Sequence, residues 1–210
     1  MIAALILAGT AGPRDEVPLA LAPIRQVPAV AAQWLALRTA GLDPLRIAVG
    51  SGADRIAAGS GLSRENFVAD GGRRRNPFSE LQAGLRALLR VDDWAAVLVQ
   101  PVTARPPHPA VVLALVERFA EGDAAAVVPS HGEESGFPVL LARDAATALL
   151  DLDPSRATFV EVLRTLVETG AGARLEVYTR DVLGVAVPVG TSGKAKGRRP
   201  LRRKAAGGRR

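Results

Sequence analysis

The residues of this sequence best suited to chemistry gather in one short loop. Residues 2–8, IAALILA, are a nearly unbroken apolar run closed by Gly9, and Thr10, Gly12, Pro13 and Arg14 follow directly. Such a run suits a strand buried on both faces of a parallel sheet. A glycine-containing turn leaving the carboxyl end of that strand offers backbone N–H groups to an anion, at the end where open α/β sheets hold their ligands. Ala8, Gly9, Thr10, Gly12 and Arg14 are therefore the first candidate binding residues. Arg14 has two readings, a phosphate contact or an ion pair with its neighbours Asp15 or Glu16.

Other chemistries find little material. The chain has no cysteine and two histidines, His108 and His131, which removes disulfides and thiolate metal sites and makes zinc chemistry unsupported. His131 reads as part of an exposed polar turn, 130–135, beside Glu133 and Glu134. His108, before Pro109, reads as a helix cap or surface residue. No motif ties either histidine to a nucleophilic serine. Arg73, Arg74 and Arg75 form a charge run in a loop over 70–78, a pattern that reads first as a solvated segment and second as an anion contact.

The elements that must position the loop follow from periodicity and stop signals. The spacing predicts a helix over 28–40, with Val30, Trp34 and Leu37 on one face and Gly41 as its stop, then a strand at 46–49. A short helix at 53–58 and a strand at 66–69 follow. Ser79-Glu80-Leu81-Gln82 has the S-x-x-Q form of a capping box, opening a helix whose Leu81, Leu85, Leu88 and Leu89 share a face. Strands are expected at 95–100, 124–128 and 137–142, with a helix between at 109–121. Asp153-Pro154 reads as an N-cap opening a helix to about residue 169, with Phe159, Val162, Leu163 and Leu166 inward. Strands at 174–178 and 182–187 close the domain. Alternating β and α elements argue for a doubly wound, mostly parallel sheet with one antiparallel strand near the end.

Several blocks together carry a family resemblance. The opening Leu5-Ile6-Leu7-Ala8-Gly9, with Arg14, Leu21 and Pro23, resembles the pattern LILAGGxSxRMGxxKxLxP of the MobA-like NTP transferases, the family of the molybdenum cofactor cytidylyl- and guanylyltransferases. Asn76-Pro77 and the run Ser79 to Leu85 resemble its NP and SSLxAGL block. Residues 95–100 resemble its central strand, and Gly136-Phe137-Pro138-Val139-Leu140 its GHPVL strand. The blocks occur in the family's order over about 180 residues. The resemblance implies a Rossmann-like nucleotidyltransferase fold. It also implies transfer of an NMP from CTP or GTP to a phosphorylated acceptor such as molybdopterin, with Mg²⁺ as cofactor. It assigns Ala8, Gly9, Thr10, Gly12, Arg14, Asn76 and Ser79 to nucleotide binding.

The departures fall on the chemistry. Thr10, Gly12, Asp15, Glu16 and Leu19 stand where the pattern has Gly, Ser, Met, Gly and Lys. The GDxP turn that carries the family's metal aspartate becomes Pro101-Val102-Thr103-Ala104-Arg105, placing Thr103 at the aspartate. A later aspartate of the family aligns near Val185 or Val187. Asp15 and Glu16 would stand close to a triphosphate, and two unit charges about 4 Å apart repel by roughly 4 kcal/mol at an effective dielectric near 20. No catalytic residue and no metal ligand is assigned, and the expectation is a nucleotidyltransferase-like protein with activity weakened or lost, a pseudoenzyme. Two alternatives stand beside it. One is an active enzyme using Arg14, Arg25 or Arg105 in new roles, and the other is a non-catalytic binding or regulatory subunit.

Charge divides the chain. The net charge is +6, yet residues 190–210 hold nine cations and no acid, which leaves residues 1–189 at −3. All three lysines lie in that tail, so no lysine of the first 193 residues can replace the family's own. The expected organisation is a domain over 1–189 followed by a disordered basic tail over 190–210 that attracts polyanions, including nucleic acid, without sequence preference. No apolar stretch reaches the length of a membrane span and no leader pattern opens the chain, so the expected location is the cytoplasm, without membrane contact. Leu201 is the one large apolar residue of the tail. Truncation after Val189 is expected to leave the thermal unfolding midpoint unchanged. A fall of several degrees would mean that the tail packs on the domain.

Overall fold

The computed structural model describes residues 1–9, 18–50, 52–71, 76–91 and 93–183. Thr10, Gly12, Arg14, Asp15, Glu16, the arginines at 73–75, the later part of the strand expected at 182–187 and the tail all lie outside the described residues. The elements run β1 (Ile2–Leu7), β2 (Pro23–Ile24), β3 (Val27–Pro28), α1 (Ala29–Thr39), β4 (Leu45–Val49), α2 (Ala53–Ser60), β5 (Phe67–Ala69) and α3 (Pro77–Leu89). They continue with β6 (Ala96–Pro101), α4 (Pro109–Ala120), β7 (Ala126–His131), β8 (Glu134–Ser135), β9 (Val139–Ala142), α5 (Arg143–Ala148), α6 (Phe159–Glu168) and β10 (Gly172–Glu176).

An eight-stranded sheet has the order β10-β7-β9-β6-β1-β4-β5, with β8 paired to β7. β1 lies parallel between β4 and β6, and β5 and β10 also pair in parallel. β9 is antiparallel to both β6 and β7, and β8 is antiparallel to β7. The expected single antiparallel strand is thus joined by a second, short one. Helices cover both faces, giving the Rossmann-like, doubly wound arrangement. Among the described residues no helix is long and apolar enough to cross a membrane.

β1 feeds both layers because successive side chains alternate across a strand. Ala4, Ile6 and Ala8 join Val30 and Leu37 of α1, Ile56 of α2 and Leu115 of α4. Ala3, Leu5 and Leu7 join Phe78, Leu81, Leu85 and Leu88 of α3 together with Leu163 of α6. α3 approaches β1 closely at Gly84, where an added Cβ would come within 2.4 Å of Leu5 Cδ1.

The start of α3 corrects the sequence reading. Asn76, not Ser79, is the N-cap: its side chain accepts from Phe78 N–H at 2.8 Å, and Pro77 takes the first helical position. Asparagine at the cap with proline after it satisfies the first turn, and the helix begins before the S-x-x-Q pattern. Gln82 is then freed for another task. It is buried, and its amide donates to the carbonyls of Leu149 and Leu152, each at 2.8 Å, pinning α3 to the turn after α5.

Asp153-Pro154 likewise opens no helix. Asp153 closes a local turn by accepting from Ser155 N–H and Oγ, while α6 starts at Phe159 behind a capping box of Thr158 and Glu161. Residues 180–183 form a 3-10 turn in place of a strand, and α5 occupies a segment with no expected helix. Replacing Gln82 with Met keeps the bulk but removes the donor to two carbonyls, one in a buried bond and one in a part-buried bond. The expected loss is about 2 kcal/mol, a fall in Tm of roughly 4–8 °C. An unchanged Tm in thermal denaturation would contradict this account of α3.

Candidate functional site

β1, β4 and β6 end level with one another, and the loops leaving them define one end of the sheet. Ala8 N–H donates to Ala48 O at 2.8 Å and Val102 N–H to Leu7 O at 2.9 Å, so the pairing continues to the last residue of each strand. Gly9 follows β1 and Gly50 follows β4. Neither has the left-handed backbone that commonly explains a glycine. Both are explained by Glu80.

Glu80 lies in the first turns of α3, where a carboxylate is favoured by the exposed N–H groups, yet it turns inward and is 2% exposed. Its carboxylate rests on the two glycine backbones. A Cβ added to Gly9 would fall 1.8 Å from Oε1 and 2.0 Å from Oε2, and one added to Gly50 2.7 Å from Oε1. A side chain at either position would have to displace the Glu80 carboxylate. The sequence reading missed both Glu80 and Gly50. The available signal was a carboxylate at the second serine of the SSLxAGL pattern, together with a second strand closed by glycine.

The candidate residues divide into three groups. Ala8 and Gly9 stand at the end of β1 beside Glu80. Asn76 and Ser79 stand at the start of α3, but their polar groups are engaged in scaffolding. The Asn76 amide donates to the carbonyl of Pro154, and the Ser79 hydroxyl lies 2.7 Å from Asp70 Oδ2 and 2.8 Å from Asn76 O, tying α3 to the residue after β5. Thr10, Gly12 and Arg14 lie outside the described residues.

Leu19, at the family's lysine position, is buried in a 3-10 turn, Leu19–Leu21, and belongs to the core with Ala8, Ala20 and Ala29. A lysine there would have to bury its ammonium or rebuild the turn.

Thr103 lines a cleft of about 470 Å³ at the end of β6, with Pro101, Glu134, Gly136 and Phe137 among its walls. The turn that carries it is held by two buried glutamines: Gln33 donates to Ala104 O at 2.6 Å and Gln100 to Arg105 O at 2.9 Å. Among the described residues Glu134 is the one carboxylate in that wall. Among the described residues no three His, Cys, Asp or Glu side chains converge as a metal-ligand set.

Arg25 and Arg105 face elsewhere, into a groove of about 650 Å³ along α1, where Arg105 pairs with Asp181 at 2.8 Å. Arg25 and Gln26 form the tip of the β2–β3 hairpin, with φ of 49° and 70°. His108 caps α4, accepting from Ala110 N–H at 3.2 Å. His131 departs from the expected exposed turn: it ends β7, half-buried, with Nδ1 3.0 Å from Val177 O and 3.9 Å from Glu176 Oε1. The strand runs on to His131 because β8 pairs with it there, His131 opposite Glu134, beyond the last β10 pair at Ser130.

Solved structures similar to this chain share its fold at low identity. A nucleotidyl transferase from Methanothermobacter thermautotroptrophicus superposes with a TM-score of 0.70 at 19% identity, over 89% of this chain and 92% of its own. The Mycobacterium sp. strain JC1 homologue of Mycobacterium tuberculosis Rv0371c gives 0.66 at 20%, over 84% and 85%. A putative glucose-1-phosphate thymidylyltransferase from Bacillus anthracis gives 0.65 at 14%, over 84% and 87%. Among curated proteins none matches. The MobA-like NTP transferase domain matches residues 4–171, from the second layer of β1 to the entry of β10, and this chain belongs to that family.

Proposed function

We propose that this chain is a nucleotidyltransferase-fold protein that takes a nucleotide at the ends of β1, β4 and β6. In this reading, transfer of an NMP from CTP or GTP to a phosphorylated acceptor such as molybdopterin is weakened or lost. Ala8, Gly9, Thr10, Gly12 and Arg14 are its proposed nucleotide contacts, with Asn76 and Ser79 framing them from α3. Residues 1–189 form the proposed domain and 190–210 a basic tail. The observation that carries the reading is the split between frame and chemistry. The glycine-closed strand and the helix behind it keep the family's arrangement, whereas Thr103 and Leu19 remove the carboxylate and the cation.

Two relatives in fold supply the ligand class. CMP:2-keto-3-deoxy-manno-octonic acid synthetase is described in complex with CTP, and Rv0371c in complex with manganese. Nucleotidyl transfer needs charge neutralised on the departing pyrophosphate, the part a divalent cation supplies when bound. In this chain Thr103 offers only a hydroxyl at that place. A non-catalytic nucleotide-binding subunit is the form of the function that the donor set favours.

Calorimetric titration with CTP and GTP, with and without Mg²⁺, tests the reading on wild type and Thr103→Asp. Wild type is expected to bind weakly and without dependence on the cation. Thr103→Asp is expected to bind at least about tenfold tighter when Mg²⁺ is present and to lose that gain on chelation. Strong Mg²⁺-dependent binding by wild type, unchanged by the substitution, would contradict the loss of the metal position.

A further inference from the structure

A further cavity, of about 320 Å³, opens beside α6, between that helix, the β7–β8 turn and β10. Proteins hold small molecules in pockets of about 300–1,000 Å³, so this one suits a compact ligand. Phe137, Leu163 and Val167 give it an apolar wall. Four charged side chains line it as well, and they come from three places in the fold: Arg164 and Glu168 from α6, Arg174 from β10, and Glu133 from the turn between β7 and β8. Among the described residues none of the four side chains makes a hydrogen bond or an ion pair. Arg164 and Glu168 stand one helical turn apart, where opposite charges can pair, yet they do not. The cavity thus offers two cations and two carboxylates that do not satisfy one another.

We propose that this cavity binds a free α-amino acid with an apolar side chain. A simple anion would meet both carboxylates and a simple cation both guanidinium groups, so a ligand of one sign gains on one pair and loses on the other. A compact zwitterion meets both. Its carboxylate accepts charge-assisted hydrogen bonds from Arg164 and Arg174, and its ammonium donates to Glu133 and Glu168. Its side chain covers Phe137, Leu163 and Val167, which removes apolar surface from water on both partners. Ser135, Gly136 and Phe137 also line the cleft at Thr103, so the two cavities share one wall. The inference does not depend on the nucleotide reading.

The full-length protein is titrated by calorimetry with L-leucine and L-phenylalanine, and with two analogues that each lack one charge, L-phenylalaninamide and N-acetyl-L-phenylalanine. At least one of the two amino acids is expected to bind saturably with a Kd of about 1 mM or tighter, and each analogue at least about tenfold more weakly than L-phenylalanine. Arg174→Gln, shown by circular dichroism to be folded, is expected to lose at least about tenfold in affinity for the amino acid. Should that variant fail to fold, Arg164→Gln, at an exposed position of α6, decides in the same way. Equal binding of L-phenylalanine and both analogues, or tighter binding of either analogue, overturns the assignment, because the two charges would then not be read together. Unchanged affinity in the folded arginine variant overturns it as well. No saturable binding of either amino acid at millimolar concentration overturns it outright. None of these outcomes bears on CTP or GTP, so the nucleotide reading stands or falls by its own titration.

Discussion

A buried carboxylate resting on the backbones of two glycines fixes the working end of this sheet. An anion removed from water must be met by polar groups and enclosed tightly, and neither condition tolerates slack. Gly9 and Gly50 have no left-handed backbone, and a Cβ at either would meet the Glu80 carboxylate. The contact therefore links three elements at one point: the end of β1, the end of β4 and the first turns of α3.

The surrounding scaffold holds that point in place. Gly84 lets α3 lie close on Leu5 of β1, so the helix carrying Glu80 cannot drift along the strand without losing its packing. Asn76 caps α3 and ties it to the Pro154 segment, while Gln82 ties its next turn to the carbonyls of Leu149 and Leu152. On the other side of β1, Gln33 and Gln100 grip the turn that carries Thr103. Of the two positions where the sequence departs from the family pattern in charge, Leu19 belongs to the core and Thr103 stands at the end of β6.

Much of this frame was legible in the sequence. The apolar run of β1, the face of α3 and the stops at glycine are local signals, and each strand and helix that depends on them appears near its expected place. What escaped was set by competition or by long-range contact. Ser79 carried a valid capping pattern, but Asn76 with Pro77 made a better start for α3, and Thr158 with Glu161 did the same against Asp153 with Pro154. His131 stands at the edge of the expected turn, opposite Glu134 of β8, and what the sequence did not show is its side-chain contact with Val177 O, far along the chain. Glu80 stood unremarked inside the S-x-x-Q pattern, since nothing local shows that it turns inward against two glycines from separate strands. The family resemblance located the fold, and it marked Thr103 and Leu19 as departures. It gave no warning that Leu19 packs in the core.

The central claim is that Glu80 and Gly9 form one packed unit, and a thermodynamic cycle measures that directly. Chemical denaturation of wild type, Gly9→Ala, Glu80→Ser and the double variant gives the coupling between the two positions. Because Gly9 needs no left-handed backbone, an alanine there is opposed chiefly by Glu80. Gly9→Ala should cost about 1–3 kcal/mol in the wild-type background and markedly less when residue 80 is serine, a coupling of about 1 kcal/mol or more. Additive losses, with Gly9→Ala equally costly in both backgrounds, would show that the carboxylate does not rest on Gly9 and would contradict the account.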